Sequence, residues 1–187
     1  MLTDSDKQFL LRAARLSVES AVRDRCASSL TTEAPSLLVP CGAFVTLHSG
    51  NDLRGCIGFI EAEKPLIETV QEVAARAALE DMRFSPVEEK ELAYIRIEIS
   101  VLSPMTVVES FEHIEIGKHG LLIEHGRNRG LLLPQVASEH DWDLETFLTQ
   151  TARKAGLSPT AWQDHGVRVS MFTAEIFSEN DFMSNDA

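Results

Sequence analysis

Leu53-Arg54-Gly55-Cys56-Ile57-Gly58 sets a thiol two residues from a guanidinium and between two glycines, inside a run that otherwise reads as a β-strand. The thiolate is the attacking form of cysteine, and a nearby cation favours it. If Arg54 and Cys56 share a face they lie about 7 Å apart along the strand, so Arg54 could steady a thiolate or an anionic substrate. The competing reading is structural: buried cysteine is common and inert, and flanking glycines mark a bulge or a close backbone approach.

Other side chains could complete a site around Cys56. Glu98 falls between Arg96 and Ser100 on the polar side of a strand, where it is either a general base toward the thiol or a substrate, or a solvated carboxylate. His119 sits in a glycine-flanked turn, where it either presents an imidazole and backbone N–H groups to an anion or is simply an exposed turn residue. Asp81 and Arg83, two apart after a helix, either bind a polar substrate or tie the chain down as an ion pair. Gln135, after Pro134, can begin a helix and point its amide at a ligand. Cys56, Arg54, Glu98 and His119 form the candidate catalytic set, and Gly55, Gly58, Asp81, Arg83 and Gln135 the candidate binding set. Trp142 reads as a core residue. His48, His113, His125, His140 and His165 have no comparable context.

The elements that must position these residues alternate between helix and strand. Ser5 to Gln8 offers a capping box for a first amphipathic helix through Phe9, Leu10, Ala13, Leu16 and Ala21. Ser28 to Pro40 reads as a surface connection. Gly42 to Ile60 reads as a hairpin turning at Gly50-Asn51, which pairs Ser49 with Asp52, Leu47 with Arg54 and Val45 with Cys56. Leu53, Ile57 and Phe59 then share one face, and Arg54, Cys56 and Gly58 the other, unless a one-residue slip or a bulge at Gly55 intervenes. Cys41 falls opposite Ile60, about 13 Å along the strand from Cys56. Pro65 opens a second helix to about Glu80, and Ser85-Pro86-Val87-Glu88 caps a short acidic helix to Leu92. Ile95, Ile97, Ile99 and Val101 alternate with polar residues as a half-buried strand. Apolar runs at 114–116, 121–123 and 131–133 suggest a meander, and Asp143 to Ala155 a helix capped by Gly156. Val167 to Phe177 reads as one closing strand. This mixture without a βαβ repeat predicts an α+β fold.

Composition narrows the class. The chain has 187 residues, 44% hydrophobic and 25% charged, with a formal charge of −12. That balance opposes a sequence-independent grip on phosphates. Lys118, Arg127 and Arg129 on adjacent turns either form the one candidate basic patch, which would serve RNA if it served any nucleic acid, or are merely solvated charges. No run is long enough to span a membrane and the first residues are acidic, so a cytoplasmic location and no membrane partner are expected. Cys26, Cys41 and Cys56 cannot all pair within the chain, and reduced thiols are expected. No Cys-x-x-Cys or His-Glu-x-x-His spacing occurs, nor a Walker, dinucleotide or Gly-x-Ser-x-Gly fingerprint, so no metal and no cofactor is assigned.

The hexapeptide at 53–58 resembles the signature of the AMMECR family. Matches at Phe44–Leu47, Asp81–Pro86, Ile97–Leu102, Ile116–Leu121, Leu131–Ala137 and Lys154–Leu157 follow in order along nearly the whole chain. The resemblance implies a single α+β domain over residues 1–187, made of two lobes with a largely antiparallel sheet, flanking helices and a cleft between the lobes. It also implies a pathway shared with a Memo-like protein and a radical-SAM protein, but no assigned reaction. Many relatives carry a cysteine where this chain has Ala152. Three functions remain open: an enzyme or enzyme component using the Cys56 thiol, a non-catalytic ligand-binding or adaptor module, and an RNA-binding module.

Overall fold

A computed structural model describes residues 2–24, 29–61 and 63–182; Cys26 lies outside them. The chain forms two compact units, residues 1–102 with 175–187, and residues 103–174. Each has its own sheet and its own apolar core. The result is the expected α+β fold.

In the first unit, α1 (Asp4–Asp24), α2 (Pro35–Leu38) and α3 (Leu66–Leu79) accompany β1 (Ala43–Ser49), β2 (Asp52–Phe59), β3 (Ile95–Leu102) and β8 (Ala174–Ser178). The strand order is β2-β1-β3-β8, which makes β2 an edge. Ala43, Val45, Leu47, Ile95, Ile97 and Ile99 bury one face of this sheet against Leu10, Ala14, Val18, Val70, Val73 and Ala77 of the two long helices. Strand alternation therefore puts Phe44, Thr46 and His48, with Arg96, Glu98 and Ser100, on the opposite face.

The second unit holds β4 (Thr106–Val107), β5 (Gly120–His125), β6 (Asn128–Leu132), α4 (Pro134–Glu139), α5 (Leu144–Lys154) and β7 (Arg168–Phe172). Its strands run antiparallel in the order β4-β7-β5-β6. Phe147, Leu148 and Ala152 of α5 pack on Leu121, Ile123 and Leu132. Asp143 caps α5 through the Thr146 N–H at 2.8 Å. Gly156, at φ 73°, ends it while Leu157 N–H bonds Ala152 C=O, closing a Schellman turn.

Five local expectations change. The first helix is capped by Thr3 and Asp6, which exchange side-chain and backbone bonds, and not by Ser5. Residues 85–88 stay extended, and the acidic helix shrinks to a 3-10 turn at Glu89–Glu91 whose capping box is Glu88 with Glu91. The 114–116 run is not a strand. The closing strand breaks at Thr173 into β7 and β8, which belong to different sheets. The hairpin register, finally, slips by one residue, with consequences for the site. Among the described residues no helix is long and apolar enough to cross a membrane.

Candidate functional site around Cys56

The Gly50-Asn51 turn forms as expected and pairs Ser49 with Asp52. Beyond it the ladder shifts between Leu47 and His48, so that His48 faces Leu53 while Leu47 faces Gly55. Arg54 is the extra residue of a β-bulge. Cys56 consequently sits opposite Thr46, not Val45, and Leu53 falls on the His48 side, exposed, away from Ile57. A pairing with core-facing Val45 is replaced by one with a hydroxyl.

Two close approaches hold the bulged strand in place. A Cβ on Gly55 would overlap the Ala77 carbonyl oxygen of α3, and one on Gly58 would overlap the Phe44 ring. Gly55 therefore lets β2 lie directly on α3, and Gly58 lets Phe44 lie over the strand beside the thiol.

The outer edge of β2 is closed by side chains. Cys56 N–H donates to Asp81 Oδ2 at 2.8 Å, and Arg83 Nη2 donates to the Cys56 carbonyl at 3.3 Å. Arg83 also binds Asp81 through Nε at 2.9 Å and Nη2 at 2.7 Å. The Arg83 guanidinium, then the Cys56 and Arg83 N–H groups, hold the Asp81 carboxyl down to about 2 against the opposing effect of burial. Asp81 and Arg83 thus form the ion pair that was one of the two sequence readings, and they do so by mimicking a neighbouring strand at Cys56.

Because the N–H and C=O of Cys56 point outward, Cys56 and Thr46 form a non-hydrogen-bonded pair, the kind that brings side chains closest. Thr46 Oγ1 donates to Cys56 Sγ at 3.4 Å. Arg83 reaches this residue through its backbone, donating to the Cys56 carbonyl, and its own pKa is raised chiefly by Asp81. The half-buried thiol therefore has a hydroxyl beside it, and the carbonyl of the same residue is bound by a guanidinium.

The expected cation, Arg54, is engaged elsewhere. Its Nε and Nη2 bind Glu91 at 2.7 and 3.0 Å, and its Nη1 donates to Ser85 C=O at 3.0 Å. This fork ties the segment after Asp81 to β2. Phe84 lies between the guanidiniums of Arg54 and Arg83, with centroid distances of 6.0 and 5.5 Å.

Glu98 pairs with Thr46 across β1 and β3, so Cys56, Thr46 and Glu98 make one row over three strands. By strand spacing Glu98 lies about 10 Å from Cys56. That suits a group bound over Thr46 better than direct proton transfer from the thiol. His48 Nε2 and Ser100 Oγ, on the same face, are enclosed without a hydrogen-bond partner.

His119 and Gln135 belong to the second unit. His119 Nδ1 accepts the Glu115 N–H at 3.0 Å, and the N–H groups of Lys118 and His119 both donate to Glu115 C=O. The turn thus uses the groups expected to bind an anion. Gln135 opens α4, and its Oε1 is enclosed and unpartnered. Trp142 packs against the unit's core and stacks on His140. Cys41 is free, and burial pushes its thiol up. No cluster of three or more His, Cys, Asp or Glu suited to a metal occurs among the described residues.

Thr46 and Glu91 are the site residues the sequence did not single out. Glycine at 55 was the available signal for Thr46, since a bulge there changes the partner of Cys56. Nothing in the Glu88–Glu91 run distinguished Glu91 from its neighbours.

An α+β protein of two compact units, with a thiol on an edge strand that an aspartate–arginine pair closes, is the class that fold and site define. The chain belongs to the AMMECR1 family, whose model matches residues 11–177. It is 44% identical to a protein of Thermococcus onnurineus, covering 95% of this chain and 92% of the relative. It is 41% identical to one of Methanothermobacter thermautotrophicus, covering 96% and 97%. The crystal structure of an uncharacterised protein from Pyrococcus horikoshii is similar, with a TM-score of 0.90 and 39% identity over 95% of this chain and 93% of that one.

Proposed function

We propose that this chain is an enzyme, or the thiol-bearing component of one, in a modification pathway with a Memo-like and a radical-SAM protein, and that Cys56 is its nucleophile or covalent acceptor. The observation that carries the reading is a half-buried sulfur that accepts from the Thr46 hydroxyl, on a residue whose backbone Asp81 and Arg83 fix. Covalent catalysis needs such donors within reach of the nucleophile. The pathway context rests on the family resemblance alone. Arg83, rather than Arg54, is the cation bound to Cys56, through its carbonyl, and Glu98 would act on a group bound across the row. The test is alkylation of Cys56 by iodoacetamide in a Cys26→Ser, Cys41→Ser background, native against urea-unfolded. Native labelling at or above the unfolded rate supports a reacting thiol. Labelling at least about tenfold slower than in the unfolded chain removes it, since buried structural cysteines are inert.

An adaptor reading has an observation of its own: Arg54, Asp81 and Gly55 all have structural work, on Glu91 and Ser85, on the Cys56 N–H, and against Ala77. Under that reading, capture of the Memo-like and radical-SAM proteins survives Cys56→Ala unchanged. Loss of both partners in that variant would count against it.

A further inference from the structure

We infer that Thr46 is a positioning residue for the Cys56 thiol, an inference that rests on the reading of Cys56 as the reacting group. The bulge at Arg54 is what brings the two together: in an unbulged hairpin Cys56 would face Val45, which is buried in the helix-facing core. The extra residue moves the thiol's partner to the other face of β1, where Thr46 is 8% exposed. A hydroxyl that enclosed needs a partner, and among the described residues it donates to Cys56 Sγ at 3.4 Å.

The orientation of the pair is over-determined. Asp81 and Arg83 take the outward N–H and C=O of Cys56, which fixes the pair as non-hydrogen-bonded and holds the side chains near their closest cross-strand separation. Gly55 lies directly against the Ala77 carbonyl of α3, and Phe44 lies over Gly58, two close approaches that fix the strand on either side of Cys56. Threonine is stiff at χ1 in a strand, so its donor stays aimed where the sheet puts it. Arg83 and Arg54, the arginines on this strand edge, each carry a carboxylate partner, Asp81 and Glu91. Thr46 is thus a neutral donor whose role no ion pair dilutes.

The experiment follows carbamidomethylation of Cys56 at pH 7 in folded protein carrying Cys26→Ser and Cys41→Ser. The thiolate displaces iodide, an S–C bond forms, and the thiol proton passes to buffer. Thr46→Val, isosteric but without the donor, is expected to slow the reaction roughly fivefold, the scale of one hydrogen bond. Thr46→Ser restores it to within about twofold, a rescue that a packing role would not give because serine removes the methyl group and keeps the donor. All variants must react alike in urea. A native Cys56 that labels readily and at one rate in wild type and Thr46→Val overturns the Thr46 inference and leaves the thiol reading standing. A native Cys56 that does not label in wild type overturns the thiol reading itself. Should Thr46→Val unfold, Thr46→Ala supplies the same comparison against Thr46→Ser.

Discussion

Asp81 does two jobs with one carboxylate, and its ionisation couples them. Its pKa of about 2 in the fold lies below the ordinary aspartate value of 3.8. A depressed carboxylate stabilises fully above its unfolded pKa, and that contribution is lost as pH falls through the folded one. A tenfold change in proton affinity corresponds to about 1.4 kcal/mol, but the Arg83 side chain is 57% exposed, so screening reduces the pair to about 1 kcal/mol. Asp81→Asn is therefore expected to lower unfolding free energy by about that much at pH 7. Its deficit against wild type should shrink between about pH 4 and pH 2. Denaturant titrations across that range check it, and a deficit that stays constant with pH would refute the account. Arg54 tests the other ion pair. Lysine cannot reproduce a bidentate guanidinium, so Arg54→Lys should speed proteolysis within residues 82–91 while Cys56 alkylation stays within about twofold of wild type. The reverse pattern, a slowed thiol and an unaltered segment, would return Arg54 to the role its sequence position suggested.

The β1–β2 hairpin shows which parts of an element are written in its own residues. Its turn was legible because Gly50 supplies the left-handed φ of 62° that the tight connection needs. β3 was legible from the alternation of Ile95, Ile97 and Ile99, and the end of α5 from Gly156. The register was not, because a strand's alternation says which residues share its face and nothing about which partner residue lies opposite. Gly55 conceals the slip further by carrying no side chain to mark its face. For the same reason Thr46 was missed while Cys56 was found. The expected acidic helix failed in another way: Val87 N–H bonds Ala78 C=O, a tertiary contact that accompanies a capping box three residues further along, at Glu88 and Glu91. Gly55→Ala carries the element-scale prediction. Its methyl would strike the Ala77 carbonyl oxygen, a backbone atom that cannot swing aside, so a cost of about 1–3 kcal/mol is expected, as for overpacked sites. The unfolding midpoint in urea reads it out. A neutral result would mean that β2 can lift from α3 without penalty.

At the scale of the whole molecule, charge decides between the remaining functions more directly than any single contact. A formal charge of −12 repels a polyanion, so RNA binding would need a patch of cations free to meet phosphates. Of the three residues that offered one, Lys118 binds Glu115 at 2.6 Å and Arg129 binds Glu124 at 2.9 Å, both within the second unit. The same Lys118 contact holds the Glu115 carboxyl below its ordinary range, so that partner remains an anion at neutral pH. Arg127 is exposed at the β5–β6 turn. Each phosphate contact by Lys118 or Arg129 would then have to displace a carboxylate already in place, and Arg127 alone releases too few counterions to overcome the net repulsion. Mobility shift with a single-stranded RNA should show no binding at about 0.15 M salt, and any binding in dilute buffer should vanish as salt rises. Affinity that persists at physiological salt, and falls when Lys118, Arg127 and Arg129 are changed to Ala, would mean that the two ion pairs open for RNA and would move the function from the thiol of the first unit to the hairpin of the second.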